Sequence, residues 1–320
     1  MSVEKIRNIA VIGAGLMGHG IAQVFATQGY AVTLLDIQPD VLSKAKDRVR
    51  AHLELMAERG IGTREEIGSI LGRINTTLNL GEAVSGADFV VEAVSENLEL
   101  KQKLFQDLDS LAAPDSILAT NTSVISISEI SLKARLPERI VGTHFWNPPY
   151  LIPLVEVVRG ARTSPQVMDT TMELLRRAGK HPVRVNKDVP GFVGNRLQHA
   201  LWREAISIVE KGIAEPQTVD EVIKMGFGIR LPVLGPLENM DLVGLDLTVA
   251  IHDYLLKHLE QSPHTSPLLK EKVEKGELGF KTRRGLYPWT PQGMGDLRKN
   301  LEEHLLEWMK REKKGKGERV

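Results

Sequence analysis

The chain has 320 residues, of which 42% are hydrophobic and 26% charged, as in globular proteins long enough for two domains. Its 41 basic and 41 acidic residues balance, which gives no electrostatic reason to expect nucleic acid or membrane as a partner. The absence of cysteine excludes disulfides, thiolate nucleophiles and cysteine-ligated zinc, and no metal site is predicted. No apolar run could span a bilayer and the N-terminus lacks a signal core, so we expect a cytoplasmic protein.

The first elements predict a strand, a glycine-rich loop and a helix. Residues 6–12 are apolar and β-branched, residues 13–18 read G-x-G-x-x-G, and the helical pattern that follows ends at Gly29. A second strand over residues 31–35 ends at Asp36. This order is typical of a dinucleotide-binding site. A plain strand–turn–helix with incidental glycines is the alternative.

Each glycine of this loop has a predicted role. Gly13 allows the tight turn, Gly15 lets the backbone approach a pyrophosphate at the helix N-terminus, and Gly18 lets the helix pack closely on the sheet. Asp36 can accept hydrogen bonds from the adenosine-ribose hydroxyls and would repel a 2′-phosphate, so NAD is favoured over NADP. The predicted cofactor-binding residues of this segment are Gly13, Gly15, Leu16, Met17, Gly18 and Asp36.

Strands and helices continue to alternate, which predicts an α/β fold with a Rossmann-like, doubly wound sheet. The predicted elements are helix 42–55, strand 87–94, helix 98–111, strands 116–120, 140–145 and 154–158, helix 167–178 and strand 182–185. Ligands bind beyond the carboxyl ends of such strands. Polar residues at or just after strand ends can contact a ligand or act as helix caps and turn formers: Glu92, Ser95, Glu96, Asn121 and Ser123.

Residues 142–157 hold one histidine and one carboxylate, His144 and Glu156, on either side of an Asn147-Pro148-Pro149 turn signal. Two strands folded back at this turn could bring the imidazole and the carboxylate together. A carboxylate fixes the tautomer of a neighbouring histidine and stabilises its protonated form, which is what a general base that must also act as an acid requires. A buried histidine satisfied by a structural acid is the alternative.

The pattern changes after residue 187. A turn signal over residues 188–192 is followed mainly by predicted helices, at 194–211, 218–225, 236–260 and 266–275. We therefore predict a Rossmann-like domain over residues 1–187 and a smaller, all-helical domain over residues 188–320. The charged segment 298–320 is expected to form a solvated terminal helix that frays after Arg311.

Together these motifs resemble the 3-hydroxyacyl-CoA dehydrogenase family over residues 6–287. The matching segments are G-A-G-L-M-G-H-G-I-A-Q at 13–23, V-V-E-A-V-S-E-N at 90–97, N-T-S at 121–123, H-F-W-N-P at 144–148, L-V-E-V at 154–157, D-V-P-G-F-V-G-N-R at 188–196 and G-P-L-E-N-M-D-L-V-G-L-D at 235–246.

The resemblance implies a role for each matching position. His144 and Glu156 form the catalytic pair, and Ser123 and Asn195 contact the substrate. Glu96 and Lys101 lie on the nicotinamide side, and Asn121 is counted with the cofactor-binding residues. It also implies NAD as cofactor, a small-molecule substrate and a homodimer formed through the helical domain.

The implied reaction is the NAD-dependent oxidation of a 3-hydroxyacyl-CoA to the 3-oxoacyl-CoA. Acyl-CoA members of the family commonly carry a lysine where this chain has Pro153, and lysines in the helix that here contains Glu54 and Glu58. The segment N-P-P-Y-L-I-P-L-V-E-V is similar to dehydrogenases of small free substrates, namely carnitine, L-gulonate and pyridine carboxylates. A dehydrogenase of a small hydroxy acid or alcohol is therefore one alternative, and a non-catalytic NAD-binding protein of the lens-crystallin kind is another.

Overall fold

The structure, a computed structural model, describes residues 2–317 and the side chains of residues 2–312. The chain divides into two compact units, Met1–Arg196 with Leu301–Val320, and Leu197–Asn300. These units differ from the predicted ranges 1–187 and 188–320 in the position of the boundary and in the C-terminal segment, which groups with the first unit.

Among the described residues, the first unit holds one sheet of eight strands in the order β3-β2-β1-β4-β5-β6-β7-β8. All neighbours are parallel except β6 and β7, which pair antiparallel. The strands are β1 (Asn8–Ile12), β2 (Ala31–Leu35), β3 (Ile74–Thr77), β4 (Phe89–Glu92), β5 (Ile117–Thr120), β6 (Ile140–Phe145), β7 (Leu154–Val158) and β8 (His181–Val185). The α/β prediction with a doubly wound sheet is confirmed.

Helices cover both faces of this sheet, as buried parallel strands require. They are α1 (Gly18–Thr27), α2 (Pro39–Glu58), α3 (Arg64–Gly72), α4 (Leu80–Val84), α5 (Leu98–Leu111), α6 (Ile127–Ile130) and α7 (Pro165–Arg177). The sequence analysis missed α3, β3 and α4. Strand β3 lies at the sheet edge and reads I-N-T-T, with Ile74 as its one fully buried residue, so it lacks the apolar run that identified the other strands.

Strands β6 and β7 divide their side chains between the two faces of the sheet. The antiparallel register pairs His144 with Glu156 and Phe145 with Val155. Phe145 and Val155 belong to the larger apolar core, which contains residues of α1, α2 and α7. Because side chains alternate along a strand, His144 and Glu156 point to the opposite face.

The remaining helices are α8 (Gly194–Glu210), α9 (Pro216–Met225), α10 (Pro236–Val243), α11 (Leu245–Leu255), α12 (Pro267–Glu274) and α13 (Pro291–Gly317). The predicted continuous helix 236–260 is wrong, because Gly244 adopts a φ of 99° and separates α10 from α11. Positive φ is a conformation that glycine adopts without the strain it would impose on other residues. Within residues 2–317, no helix is long and apolar enough to cross a membrane.

The C-terminal part of α13 packs on the first unit. Leu306 is 2% exposed and lies in an apolar cluster with Met56, Ile61 and Leu151. Glu303 also forms an ion pair with Arg59 at 2.9 Å. The predicted solvated helix is therefore wrong on this face. The helix also continues past Arg311 to Gly317, and the last three residues of the predicted segment lie outside the described residues.

Candidate active site

The glycine loop between β1 and α1 combines two close backbone contacts with one open position. Gly13 has a φ of 101°, and a Cβ there would lie 2.7 Å from the Ala93 carbonyl oxygen. A Cβ on Gly18 would lie 1.6 Å from the Gly13 carbonyl oxygen. Any side chain at these two positions would thus disrupt the loop. A Cβ on Gly15 would meet no atom within 4 Å, so its backbone borders space that a ligand can approach closely.

Asp36 connects the end of β2 to this loop. Its Oδ2 accepts a hydrogen bond from the Ala14 N–H at 2.8 Å, and its Oδ1 accepts one from the Gln38 N–H at 2.9 Å. An ionised carboxylate has about four acceptor positions, so two remain for ligand hydroxyls. Next to Gly15, Leu16 is 69% exposed and Met17 partly so. The loop and the acid together fit a dinucleotide.

His144 and Glu156 form a buried hydrogen-bonded pair, with 2.8 Å between Nδ1 and Oε2. Burial alone would raise the pKa of Glu156, but hydrogen bonds from His144 and from the Gly194 and Val193 N–H groups outweigh it and lower that pKa. Glu156 is therefore an ionised acceptor, and Nδ1 of His144 carries the proton that it donates. In the neutral imidazole the lone pair is then on Nε2, where it can accept a proton.

The backbone at the start of α8 completes this pair. Val193 and Gly194 donate their N–H groups to Oε1 of Glu156, each at 2.9 Å. A Cβ on Gly194 would lie 2.4 Å from the Trp146 ring, so the helix start approaches the pair through a glycine. Sequence reasoning missed these two donors. They stand in the P-G-F-V-G-N-R segment, where the sequence predicts a turn, a helix start and Asn195 as a substrate contact but no backbone donors to Glu156.

A second buried ion pair lies at the end of β4. Nζ of Lys101 is 2.6 Å from Oε1 of Glu92 and 3.3 Å from Oε2 of Glu96, and the Lys101 side chain is 1% exposed. The other oxygen of Glu92 accepts a hydrogen bond from the Thr120 hydroxyl at 2.6 Å. Because its ammonium group is already bound to two carboxylates, Lys101 can influence a ligand only through Glu96.

Glu96 holds the loop that follows β5. It accepts hydrogen bonds from the Thr122 hydroxyl and from the N–H groups of Ser123 and Val124. Burial raises the pKa of Glu96, but the Thr122 hydroxyl, the Lys101 ammonium and the two N–H groups lower it to a greater extent, so the net shift is downward. The carboxylate therefore fixes Ser123 in position.

Asn121 and Asn195 connect this loop to its neighbours. Oδ1 of Asn121 accepts a hydrogen bond at 2.9 Å from the N–H of Phe145, the residue that follows His144 in the chain. Nδ2 of Asn195 donates to the Ser123 carbonyl at 3.0 Å. His144 is hydrogen-bonded to Glu156, and Asn195 is hydrogen-bonded to Ser123. Gly194, which precedes Asn195 in the chain, donates to Glu156 and so brings the two pairs into one region.

Two family matches cover most of the chain. Residues 8–189 match the NAD binding domain of 3-hydroxyacyl-CoA dehydrogenase, and residues 191–289 match its C-terminal domain. The chain belongs to the 3-hydroxyacyl-CoA dehydrogenase family. The predicted family, the NAD cofactor and the oxidoreductase class acting on a CH–OH group are therefore confirmed.

Relatives that resemble this chain are named for different substrates. One is the 5-formyl-3-hydroxy-2-methylpyridine 4-carboxylate 5-dehydrogenase of Mesorhizobium japonicum, 37% identical over 90% of this chain and 92% of the relative. A probable 3-hydroxybutyryl-CoA dehydrogenase of Bacillus subtilis is 40% identical over 89% of this chain and 98% of the relative.

Solved structures show the same two types of relative. A pyridine-carboxylate dehydrogenase, described as an NAD+-dependent dismutase, has a TM-score of 0.88 at 36% identity and covers 95% of this chain and 97% of its own. The (S)-3-hydroxybutyryl-CoA dehydrogenase of Ralstonia eutropha has a TM-score of 0.76 at 34% identity and covers 89% of this chain and 100% of its own.

Proposed function

We propose that the chain reversibly oxidises a hydroxyl-bearing carbon of a small-molecule substrate, with His144 as the acid–base residue. The observation that carries this proposal is the 2.8 Å hydrogen bond between Nδ1 of His144 and Glu156, whose pKa is held low. It supports an imidazole with a fixed tautomer and a basic Nε2, which is the form needed to accept the proton of an alcohol.

In the oxidative direction, Nε2 of His144 accepts the substrate hydroxyl proton as the carbonyl forms. The chemistry that NAD supplies when bound is hydride acceptance in this direction and hydride donation in reverse. Glu156 stabilises the imidazolium, and the Val193 and Gly194 N–H groups keep the carboxylate in place. In reduction His144 returns the proton. We assign substrate binding to Ser123 and Asn195.

The remaining site assignments concern the cofactor. We propose that the glycine loop holds the pyrophosphate and that Asp36 binds the adenosine ribose, consistent with the open backbone at Gly15 and the spare acceptor positions of Asp36. We assign Glu96 to the nicotinamide side, with Lys101 acting through it. Asn121 belongs to the same set. The proposed loop residues are Gly13, Gly15, Leu16, Met17 and Gly18.

Two substrate classes are candidates. A 3-hydroxyacyl-CoA is supported by the Bacillus subtilis relative and by the family itself. A small free substrate that carries a carboxylate is supported by the Mesorhizobium japonicum relative, which is named for a formyl-pyridine carboxylate, and by the 0.88 TM-score of a pyridine-carboxylate dehydrogenase. Pro153, Glu54 and Glu58 also favour the second class, because neither an imino acid nor two carboxylates attract the phosphates of CoA.

An NADH-absorbance assay distinguishes these candidates. It compares 3-hydroxybutyryl-CoA and longer 3-hydroxyacyl-CoAs with carnitine, gulonate and hydroxymethyl-pyridine carboxylates, at equal concentrations. Turnover confined to one group identifies the class. No turnover with any of them, while NAD still binds, would contradict the proposed function and favour a non-catalytic NAD-binding protein.

We also propose that the chain forms a homodimer through its helical unit. Leu237 and Leu242 of α10 are each 73% exposed, and Leu245 and Val249 of α11 are more than half exposed. Apolar side chains at this density on consecutive helices mark an interaction surface. Light scattering on the eluting protein should give twice the 35.5 kDa chain mass, and a value of one chain mass would contradict the proposal.

A further inference from the structure

The first unit contains a cavity of about 490 Å³ that the proposed mechanism does not use. It is lined by α1, by Met56 of α2, by the turn between β6 and β7, by Lys180 just before β8 and by Trp308 and Met309 of α13. We call it the Lys180 cavity. Helices α1, α2 and α7 cover the face of the sheet opposite to His144 and Glu156, so this cavity is separate from the catalytic pair.

Lys180 brings an unpaired cation to this cavity. Its Nζ donates hydrogen bonds to the carbonyls of Pro149 and Ile152. Among the described side chains, no carboxylate lies within ion-pair distance of it, although the exposed Glu312 is at the cavity rim. An ammonium group has three donors, so one N–H remains after the two carbonyl bonds. Burial lowers the pKa of Lys180 to about 8, which still leaves most of the amine charged at neutral pH.

Gln23 supplies a second donor. Its side chain is 1% exposed, and its Oε1 is 3.1 Å from Nδ1 of His52. In the described part of the chain, the acceptor for its Nε2 is the thioether sulfur of Met56 at 3.4 Å. A thioether is a weak acceptor, so a buried amide left with it gains from an oxygen ligand. Lys180 and Gln23 therefore offer two donors to one cavity.

The remaining walls are mainly apolar, with Thr27, Gln28 and His181 as polar members. Met56, Leu154, Met309 and Trp308 line the cavity, and its volume lies in the range of small-molecule sites. Trp308 and Met309 also lie beyond residue 289, where the match to the family's C-terminal domain ends. The cavity thus includes a wall from outside the family match, and its chemistry must be inferred from the residues that line it.

We propose that the Lys180 cavity binds a small monocarboxylate with an apolar, ring-sized body. The carboxylate accepts hydrogen bonds from Lys180 and Gln23, and the body lies against Trp308 and the two methionines. This site goes beyond the proposed dehydrogenase function and does not depend on it. Because Lys180 also holds the turn that joins the strands of His144 and Glu156, a bound carboxylate should stabilise that turn.

The test is a ¹⁹F NMR titration of the full chain with 4-fluorobenzoate, with 4-fluorobenzyl alcohol as the uncharged control of similar size. We expect saturable binding of the carboxylate at one site, and binding of the alcohol at least tenfold weaker. Equal binding of the two probes would overturn the proposal, since it would show an apolar cavity without anion recognition. No binding of 4-fluorobenzoate at millimolar concentration would overturn it as well.

Variants locate the binding site. Lys180→Met should weaken 4-fluorobenzoate binding at least tenfold and Gln23→Met several-fold, whereas Lys103→Met, at an exposed lysine of α5, should not change it. Since Lys180 also supports a turn, Trp308→Ala provides a second variant that leaves this support intact and should also weaken binding. Unchanged binding in Lys180→Met and Trp308→Ala would overturn the proposal.

His144→Ala separates this inference from the proposed function. It should bind 4-fluorobenzoate as tightly as the unmodified chain, whether or not the chain proves to be a dehydrogenase. Loss of 4-fluorobenzoate binding in His144→Ala, with binding retained in Lys180→Met, would place the carboxylate at the catalytic pair and overturn the inference.

Discussion

Buried charged groups on the two faces of the sheet in the first unit differ in the partners that the chain gives them. On one face, Glu156 accepts hydrogen bonds from His144, Val193 and Gly194, and every one of these donors is supplied by the chain. On the other face, Lys180 has carbonyl partners but no carboxylate among the described side chains. The first arrangement fixes a side chain for chemistry, whereas the second leaves a charge that a ligand can neutralise.

The difference suggests how to interpret buried polar groups in this fold. A fully hydrogen-bonded group such as Glu156 is held in one orientation, as a group that positions an acid–base residue must be. A group with a spare donor beside open space is a binding feature. The following predictions test whether the two faces differ in this way.

The largest effect is expected on turnover, when the proposed acid–base residue His144 is replaced. His144→Ala should reduce kcat by roughly 10²–10⁴-fold, because it removes the proton acceptor, while NAD affinity stays nearly unchanged. The measurement is NADH formation with the substrate found in the assay, together with an NAD titration of the same sample. Retention of most of the activity would show that His144 is structural.

Breaking the buried ion pair of Lys101 and Glu92 should also have a large effect, in this case on the stability of the fold. Lys101→Met leaves Glu92, which is 0% exposed, without its counter-charge, so we expect a loss of about 3–5 kcal/mol in the free energy of unfolding. Lys103→Met, two residues away in the same helix, breaks an exposed pair with Asp107 and should cost less than about 1 kcal/mol. Urea unfolding measures the loss in each variant. Equal losses would contradict the assignment of Lys101 as the buried counter-charge of Glu92.

On the opposite face, Lys180 should make stability depend on pH. Burial lowers the folded-state pKa of Lys180 to about 8, below the ordinary lysine value of 10.5, so the buried charge destabilises the fold below pH 8. As the pH rises from 8 towards 10.5, the folded state loses this proton first and the destabilisation is relieved. The unfolding free energy of the unmodified chain should therefore rise relative to Lys180→Met, by up to about 3 kcal/mol.

The matched control for this pH series is Lys44→Met, at an exposed lysine of α2. Its difference from the unmodified chain should show no comparable rise between pH 8 and 10. A Lys180→Met difference that is flat, or that falls with pH, would mean that the Lys180 amine is solvated and would weaken the case for the cavity.

The smallest effect is expected at Asp36. Asp36→Ala should weaken NAD binding by about tenfold, or about 1.4 kcal/mol, and reduce discrimination against NADP. Because Asp36 also accepts the Ala14 and Gln38 N–H groups, Asp36→Asn serves as the control that keeps an acceptor oxygen in place. Unchanged affinities for both cofactors in Asp36→Ala would exclude Asp36 from ribose binding.

Local sequence patterns were enough for most of the sheet and for the contact between His144 and Glu156. Strands β2, β6 and β7 begin and end at the predicted residues, because each is a short segment that begins and ends with an apolar residue. His144 and Glu156 could be brought together in prediction because one turn separates them, so their contact needs no long-range information.

Features that depend on distant contacts could not be predicted in this way. The Val193 and Gly194 donors reach Glu156 across 37 and 38 residues of chain. The edge strand β3 lacks an apolar run. The Lys180 cavity requires the C-terminal helix to pack on α2, whereas the charged composition of that segment predicted a solvated terminal helix.

The most direct test of the proposed mechanism is a double-mutant comparison of His144 and Glu156. We would measure kcat for His144→Ala, Glu156→Gln and the variant with both changes. If Glu156 acts through His144, the double variant should be no slower than His144→Ala alone, within about threefold, because the two residues work as one unit. Losses that multiply in the double variant would show that the two side chains act independently and would contradict the proposed mechanism.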